Sequence, residues 1–174
     1  LWVRRPTPNH CLQLGIAIAK LHQAGMDFDQ TRANDLSIEG WRGLYSAIEA
    51  RADEVLDGLH EELEGALSDL EKNWPRELLA GVIHADLFPD NVFYLGNRLS
   101  GLIDFYFACN DSFAYDIVIC LNAWCFEADG SFNVTKARQL LSGYNQVRTL
   151  GSDELSAMPM LAQGAALRFL LTRL

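Results

Sequence analysis

The chain has 174 residues, of which 49% are hydrophobic and 21% are charged, values typical of one globular domain. Its 23 acidic residues outnumber its 14 Lys and Arg residues, which gives a formal net charge of −9 and disfavours binding to nucleic acids or anionic membranes. Residues 1–8 lack the apolar stretch of a signal peptide, and no apolar run approaches the roughly 20 residues that span a bilayer. We therefore expect a cytoplasmic protein.

The four cysteines show no Cys-x-x-Cys spacing and are too sparse for a secreted disulfide scaffold. We expect reduced thiols and no structural zinc, because zinc sites use closely spaced ligand pairs. The cysteines are Cys11, Cys109, Cys120 and Cys125.

Helical periodicity dominates the first part of the chain. We predict a first helix over residues 9–25, with Gly25 as a left-handed cap, and a second helix around residues 41–48. The residues between them, 27–35, are polar and are predicted to form a loop.

One continuous third helix is predicted over residues 52–73, with Val55 and Leu56 on its apolar face and Pro75 after its end. Nine acids and one arginine lie between Glu49 and Glu71. We interpret this charge as a solvated outer face, with an acidic docking surface as the alternative.

The middle of the chain changes to short β-rich runs. An apolar run over residues 78–83 precedes a polar string, and residues 92–95 and 99–103 flank a Gly/Asn turn that predicts a β-hairpin. Helical patterns return over residues 114–126, 134–147 and 152–174.

The last helical pattern contains Pro159, which is predicted to divide it in two. There is no initiator methionine, and the chain stops within an apolar helical pattern. We therefore predict that residues 1–174 form one mostly helical unit with a small β-hairpin, as part of a longer protein truncated at both ends.

Three polar residues around the hairpin suggest chemistry. A loop after a strand can direct Asp86 at a hydroxyl nucleophile, while Asn91 and Asp104, on either side of the hairpin, can reach one metal ion. Phosphoryl transfer needs these parts, since a carboxylate orients the hydroxyl and oxygen ligands hold the Mg²⁺ that neutralises the phosphates.

The pattern His84-x-Asp86-x4-Asn91 resembles the catalytic loop of kinases, and Ile103-Asp104-Phe105 resembles their metal-binding motif. Ala85 stands where protein kinases carry an arginine, and Tyr106 stands where they carry a glycine. In both departures the sequence resembles the aminoglycoside-phosphotransferase-like kinases, which act on small molecules.

Within that group, residues 84–91, 101–107 and 120–126 closely resemble the bacterial homoserine kinases. The resemblance extends over essentially the whole chain but covers only the carboxy-terminal lobe of a protein-kinase-like fold. The smaller amino-terminal lobe, which carries the phosphate-covering loop and a Lys–Glu pair, is absent. Its absence predicts an exposed apolar surface where it would dock.

The resemblance implies ATP-dependent phosphorylation of the homoserine hydroxyl to O-phosphohomoserine in threonine biosynthesis. It implies that Asp86 is the catalytic base and that Asn91 and Asp104 are Mg²⁺ ligands. His84 is interpreted as architectural rather than as an acid or base, because the hydroxyl already has a carboxylate partner. Asp116 is expected either to accept backbone N–H bonds from the catalytic loop or to be a helix N-terminal acid.

An amino-acid acceptor needs a cation for its α-carboxylate. Among the basic residues downstream of the site, Arg168 in an apolar helix is the candidate, with a side chain that snorkels from the surface as the alternative. Tyr106 and Trp124 are expected either to pack in the core or to line the acceptor pocket.

Two other functions stay open on the residues alone. The acceptor could be another small alcohol, such as an aminoglycoside or choline, although the few acids after Phe105 favour an amino acid over a polyamine. A non-catalytic binding lobe is the rival from another class, and the intact Asp86, Asn91 and Asp104 are evidence against it.

Overall fold

The computed structural model describes residues 3–174, so Leu1 and Trp2, in the stretch considered for a signal peptide, lie outside the described residues. Within this range no helix has the length and apolar character needed to cross a membrane. The helices are α1 Pro8–Ala24, α2 Ile38–Ile48, α3 Ala52–Val55, α4 Leu59–Asn73, α5 Phe113–Trp124, α6 Val134–Asn145 and α7 Ser152–Leu171. The strands are β1 Ala80–Ile83, β2 Val92–Leu95, β3 Arg98–Leu102 and β4 Cys109–Ser112.

Helix α1 begins and ends close to the predicted residues. The Thr7 hydroxyl accepts a hydrogen bond from the backbone N–H of His10, and Pro8 fits the first turn because it needs no partner for an N–H. The prediction of a left-handed cap at Gly25 is wrong, since this residue has φ −83°. Glycine is needed there because a Cβ atom would lie 2.9 Å from the Cβ of Val82 in β1.

The predicted third helix is two helices. Gly58 has φ +81°, a left-handed conformation that breaks the helical path between α3 and α4. Val55 and Leu56 are 64% and 60% exposed, so the prediction that they belong to the apolar face is also wrong. Helix α4 is anchored to the core by four leucines at helical spacing, Leu59, Leu63, Leu67 and Leu70.

Two small antiparallel sheets hold the polar string. Strands β2 and β3 form the predicted hairpin, with Gly96 at φ +57° in its turn. Strand β1 pairs with β4, so that Ala80 faces Ser112. Strand β4 was missed by the sequence analysis because its letters, Cys-Asn-Asp-Ser, carry no apolar alternation.

Helix α5 forms the centre of the lobe, with ten of its twelve residues buried, and it packs against α7. Helix α7 is continuous through Pro159, which corrects the prediction that it would divide there. Proline removes one backbone hydrogen bond from the helix. Packing of α7 against α5, α2 and α4 keeps both halves on one path.

Helices α1 and α6 approach each other closely through facing glycines. A methyl group on Gly15 would overlap the carbonyl oxygen of Leu140, and one on Gly143 would overlap that of Leu12. The close approach places His22 of α1 beside Tyr144 of α6, directly behind the polar string.

Candidate active site

The polar string begins where β1 ends, and its backbone turns sharply at Ala85, which has φ +63°. Asp116, in the first turn of α5, accepts the backbone N–H of His84 at 3.1 Å and that of Ala85 at 2.8 Å. These two bonds hold the loop in a conformation that a non-glycine residue rarely adopts. Asp116 therefore makes the contacts expected of the loop-supporting acid.

Asp116 is itself part of a buried chain of polar groups. The Nε2 atom of His22 lies 3.0 Å from the Asp116 carboxylate, and its Nδ1 atom lies 2.8 Å from the Tyr144 hydroxyl. Complete burial opposes ionisation of Asp116, but the bonds from His22 and from the two loop amides outweigh it and hold its pKa below the ordinary value. The loop is thus anchored through α5 to α1 and α6.

His84 links the loop to the second motif. Its Nε2 atom donates to the carbonyl oxygen of Ile103 at 2.9 Å, and its ring lies 4.6 Å from the Phe105 ring. These two partners flank Asp104, whose backbone is left-handed at φ 61°. The contacts suit an architectural role for His84 rather than proton transfer, since the side chain is fully buried.

The side chains of Asp86 and Asn91 meet on the open face of the loop. The Nδ2 atom of Asn91 donates to the backbone oxygen of Asp86 at 2.8 Å and contacts its carboxylate at 3.3 Å. Partial burial raises the pKa of Asp86, the positive charge of Arg168 lowers it, and the negative charge of Asp104 raises it further. The net upward shift makes Asp86 a better proton acceptor.

The residues present fit a magnesium ion. The two Asn91 hydrogen bonds use its amide nitrogen, which leaves its Oδ1 atom available to bind a metal ion. Asp104 is exposed and follows Ile103, whose backbone N–H donates to the Asn91 carbonyl oxygen at 3.0 Å. Within residues 3–174 no three His, Cys, Asp or Glu side chains group as a metal site. Mg²⁺ commonly takes only one or two protein oxygens and completes its shell with phosphates and water, so this donor set is sufficient.

Trp124 is placed behind the loop and not in a pocket. Its side chain is 1% exposed, and its Nε1 atom donates to the carbonyl oxygen of Leu87 at 2.7 Å. This position corrects the expectation that it could line the acceptor pocket. Trp124 is a core residue, which was the other prediction, and it also donates a hydrogen bond to a loop carbonyl.

Arg168 was expected either to bind the acceptor carboxylate or to extend from the surface into solvent, and the structure places it elsewhere. Its side chain is 1% exposed, so it neither snorkels into solvent nor faces a cleft. One of its guanidinium nitrogens donates to the carbonyl oxygen of Ala85 at 2.6 Å, next to Asp86. The Arg168 guanidinium therefore contacts the backbone of the loop and not solvent.

Tyr106 is 71% exposed and is therefore not a core residue. Other apolar side chains around the metal motif and near the ends of strands are also exposed. They are Leu79, Leu95, Ile103, Phe105 and Phe107.

Arg32 is a residue of this region that the sequence analysis missed. A guanidinium nitrogen of Arg32 donates to the backbone oxygen of Tyr106 at 2.5 Å. Arg32 lies in the polar loop that precedes α2, far upstream of the polar string in the sequence. No local signal marks it, because the contact spans 74 residues of sequence.

The comparisons with known proteins agree with this geometry. The model of the phosphotransferase enzyme family matches residues 2–150. The chain is 62% identical over all its 174 residues to a protein of Sinorhizobium fredii named homoserine kinase, and 60% identical to one of Rhizobium meliloti with the same name. It covers 53% of each, so the chain spans about half the length of these curated relatives.

A solved structure supports the fold. The chain is similar to the aminoglycoside phosphotransferase from Alicyclobacillus acidocaldarius, with a TM-score of 0.68 and 19% sequence identity. The match covers 94% of this chain and 55% of that protein. The fold is therefore that of the carboxy-terminal lobe of such kinases, as the sequence analysis predicted.

Proposed function

This chain belongs to the phosphotransferase enzyme family, and we propose that the complete protein transfers the γ-phosphoryl group of ATP to the side-chain hydroxyl of homoserine. The product would be O-phosphohomoserine, for threonine biosynthesis in the cytoplasm. The observation that carries this proposal is the convergence of Asp86, Asn91 and Asp104 on the open face of one braced loop, in a chain about 60% identical to homoserine kinases.

In the proposed reaction the homoserine hydroxyl donates a hydrogen bond to Asp86. The hydroxyl oxygen forms a bond to the γ-phosphorus of ATP, and the bond from that phosphorus to the bridging β-phosphate oxygen breaks, which releases ADP. The hydroxyl proton passes to Asp86 and then to solvent. The raised pKa of Asp86 favours this proton transfer.

Asn91 and Asp104 are the proposed ligands of the magnesium ion that accompanies ATP. When bound, the ion neutralises the charge of the phosphates. The Asn91 amide is already oriented by its bonds to Asp86, so little reorganisation is needed when ATP arrives.

Side chains behind the loop support the proposed reaction because they hold the loop backbone in position. Asp116, His84, Trp124 and Arg168 each bond the backbone of the loop or of the metal motif, and none has an accessible side chain. Held in this way, the Asp86 carboxylate keeps its place relative to the incoming hydroxyl.

The test is a kinase assay of the complete protein with Mg·ATP and homoserine, in which phosphorus NMR identifies the product. We expect O-phosphohomoserine from the wild type and a kcat about 10²–10⁴-fold lower for Asp86→Asn, the usual scale for loss of a general base. ATP affinity should change little. Asp90→Asn is the matched control, because it removes the same charge from an exposed neighbour in the same loop.

Choline and an aminoglycoside serve as rival acceptors in the same assay. Turnover of either one in place of homoserine would overturn the substrate assignment and leave the phosphotransfer chemistry standing. Wild-type kcat in Asp86→Asn would remove Asp86 from its proposed role.

A further inference from the structure

An amino-acid acceptor has an α-carboxylate, and the buried Arg168 does not offer it a partner. The structure holds another arginine at the edge of the site. Arg32 lies in the polar loop between α1 and α2, which crosses the molecule beside β4 and the metal motif. Its surroundings differ from those of an ordinary surface arginine in three respects.

The backbone of Arg32 is held in place. Its N–H donates to the Asn110 side-chain oxygen at 2.8 Å, and its carbonyl oxygen accepts the backbone N–H of Asn110 at 2.7 Å. Two residues further on, the Asn34 amide donates to the Asp111 carboxylate at 2.7 Å. The loop is thereby fixed to β4 like an added strand, although it has no regular secondary structure of its own.

The guanidinium is oriented but not neutralised. It lies 5.9 Å from the centre of the Tyr106 ring and donates one hydrogen bond to the Tyr106 carbonyl oxygen. Among residues 3–174 it forms no ion pair with a carboxylate. Since a guanidinium carries five N–H groups, donors remain for an anion.

Arg32 also borders a cleft of about 200 Å³, which we call the Arg32 cleft. Its size lies below the roughly 300–1,000 Å³ of pockets for drug-sized ligands, so it suits a molecule as small as a single amino acid. The cleft is lined by residues 32–36, 106, 107 and 109. Asp35, exposed at the same cleft, offers a negative charge for an ammonium group.

One buried side chain, that of Arg168, connects the lining of the cleft to the catalytic loop. The cleft residue Phe107 has a ring 5.6 Å from the Arg168 guanidinium, which bonds the carbonyl of Ala85, the residue before Asp86. Tyr106, also at the cleft, follows Asp104 by two residues. A small acceptor seated here would thus lie beside the segment that follows Asp104, which Arg168 connects to the loop that carries Asp86.

We propose that the Arg32 cleft is the subsite for the α-amino-acid end of the acceptor, in which Arg32 binds the α-carboxylate. The proposal rests on the proposed phosphorylation of an amino-acid hydroxyl. A guanidinium can pair a carboxylate through two parallel hydrogen bonds, while the hydroxyl at the opposite end of the acceptor reaches Asp86. Selection of the acceptor would then depend on a loop outside the catalytic motifs.

The test compares Arg32→Met and Arg32→Lys in the complete protein with three acceptors. They are homoserine, 3-amino-1-propanol, which lacks the carboxylate, and 4-hydroxybutanoate, which lacks the ammonium group. We expect Arg32→Met to raise the KM for homoserine and for 4-hydroxybutanoate about 10- to 100-fold, the usual scale for a charge-assisted bond. The KM for ATP and the kcat/KM for 3-amino-1-propanol should stay unchanged.

Arg32→Lys should recover part of the loss, because it keeps the charge without the fork. Arg138→Met is the control, since Arg138 is also exposed but lies on α6, the helix packed against α1. Thermal unfolding of all variants should match the wild type, because Arg32 is at the surface.

The outcomes separate the two proposals. Homoserine turnover with an unchanged homoserine KM in Arg32→Met would overturn the role of Arg32 and leave the proposed function intact. Turnover of a different carboxylate-bearing alcohol in place of homoserine, with the same dependence on Arg32, would overturn homoserine as substrate and support the cleft. Turnover only of alcohols without a carboxylate would overturn both.

Discussion

The catalytic loop and helix α4 both carry charged groups in networks of hydrogen bonds, but they differ in their access to water. Behind the loop, His22 and Asp116 are completely buried. On the surface, the Arg42 guanidinium of α2 bonds Glu64 and Glu71 of α4 at 2.6–2.9 Å. All three of these side chains are 37–45% exposed. The bond lengths are similar, so distance alone does not distinguish the two regions.

The difference shows that burial determines what a polar contact contributes. A buried carboxylate that loses its partners has no water to replace them, whereas an exposed ion pair exchanges its partner for water at little cost. The loop is therefore the part whose shape depends on individual polar bonds. The acidic face of α4 depends on the four leucines beneath it, and it agrees with the interpretation as a solvated outer face.

The largest effect is expected at Asp116. Asp116→Ala removes the carboxylate that accepts hydrogen bonds from His22 and from two loop amides, all of them buried, and it should lower the free energy of unfolding by about 3–5 kcal/mol. Urea unfolding of the complete protein measures it. Glu61→Ala, on the exposed face of α4, is the control, and an equal loss in both variants would contradict the comparison.

The pH dependence of the same pair follows from the lowered pKa of Asp116. A carboxyl group whose pKa is lower in the folded state stabilises the fold above its unfolded pKa of about 3.9, and loses that contribution as the pH falls through its folded value. The difference in unfolding free energy between wild type and Asp116→Ala should therefore shrink below about pH 4. A difference that grows with acid would show that the sign is wrong.

A smaller effect is expected at Trp124. Trp124→Phe keeps most of the buried ring but removes the N–H that bonds the carbonyl of Leu87, which costs about 1–3 kcal/mol if the acceptor stays unsatisfied. Because the bond supports the catalytic loop, kcat should fall while the homoserine KM stays close to that of the wild type. A change in KM alone would instead indicate that Trp124 contacts the acceptor.

The smallest effect is expected on the acidic surface. Arg42→Met breaks the ion pairs with Glu64 and Glu71, but the loss of stability should be well below that of Asp116→Ala and should fade at about 1 M salt, where the Debye length is about 3 Å. Urea unfolding at low and high salt measures this. A large loss of unfolding free energy that does not depend on salt would show that the exposed ion pairs stabilise the fold as strongly as the buried bonds.

Much of the local structure was predictable because its causes are local. The hairpin at Gly96 and the helical repeat of α4 depend on neighbours within a few residues, and both appear at the predicted positions. The predictions failed where a distant partner or one backbone angle intervened. Gly25 faces Val82 of β1, Gly58 breaks a helix, and Pro159 stays within α7 because that helix packs on its neighbours.

The sequence by itself determined the family and suggested the proposed chemistry of the open face, since Asp86, Asn91 and Asp104 lie within 19 residues around one hairpin. Only the tertiary structure decided which side chains are buried against that face and which are exposed beside it. Arg168 and Arg32 show the distinction, because one is buried against the loop and the other is exposed at a cleft. Their roles depend on contacts spanning 83 and 74 residues, which no local pattern encodes.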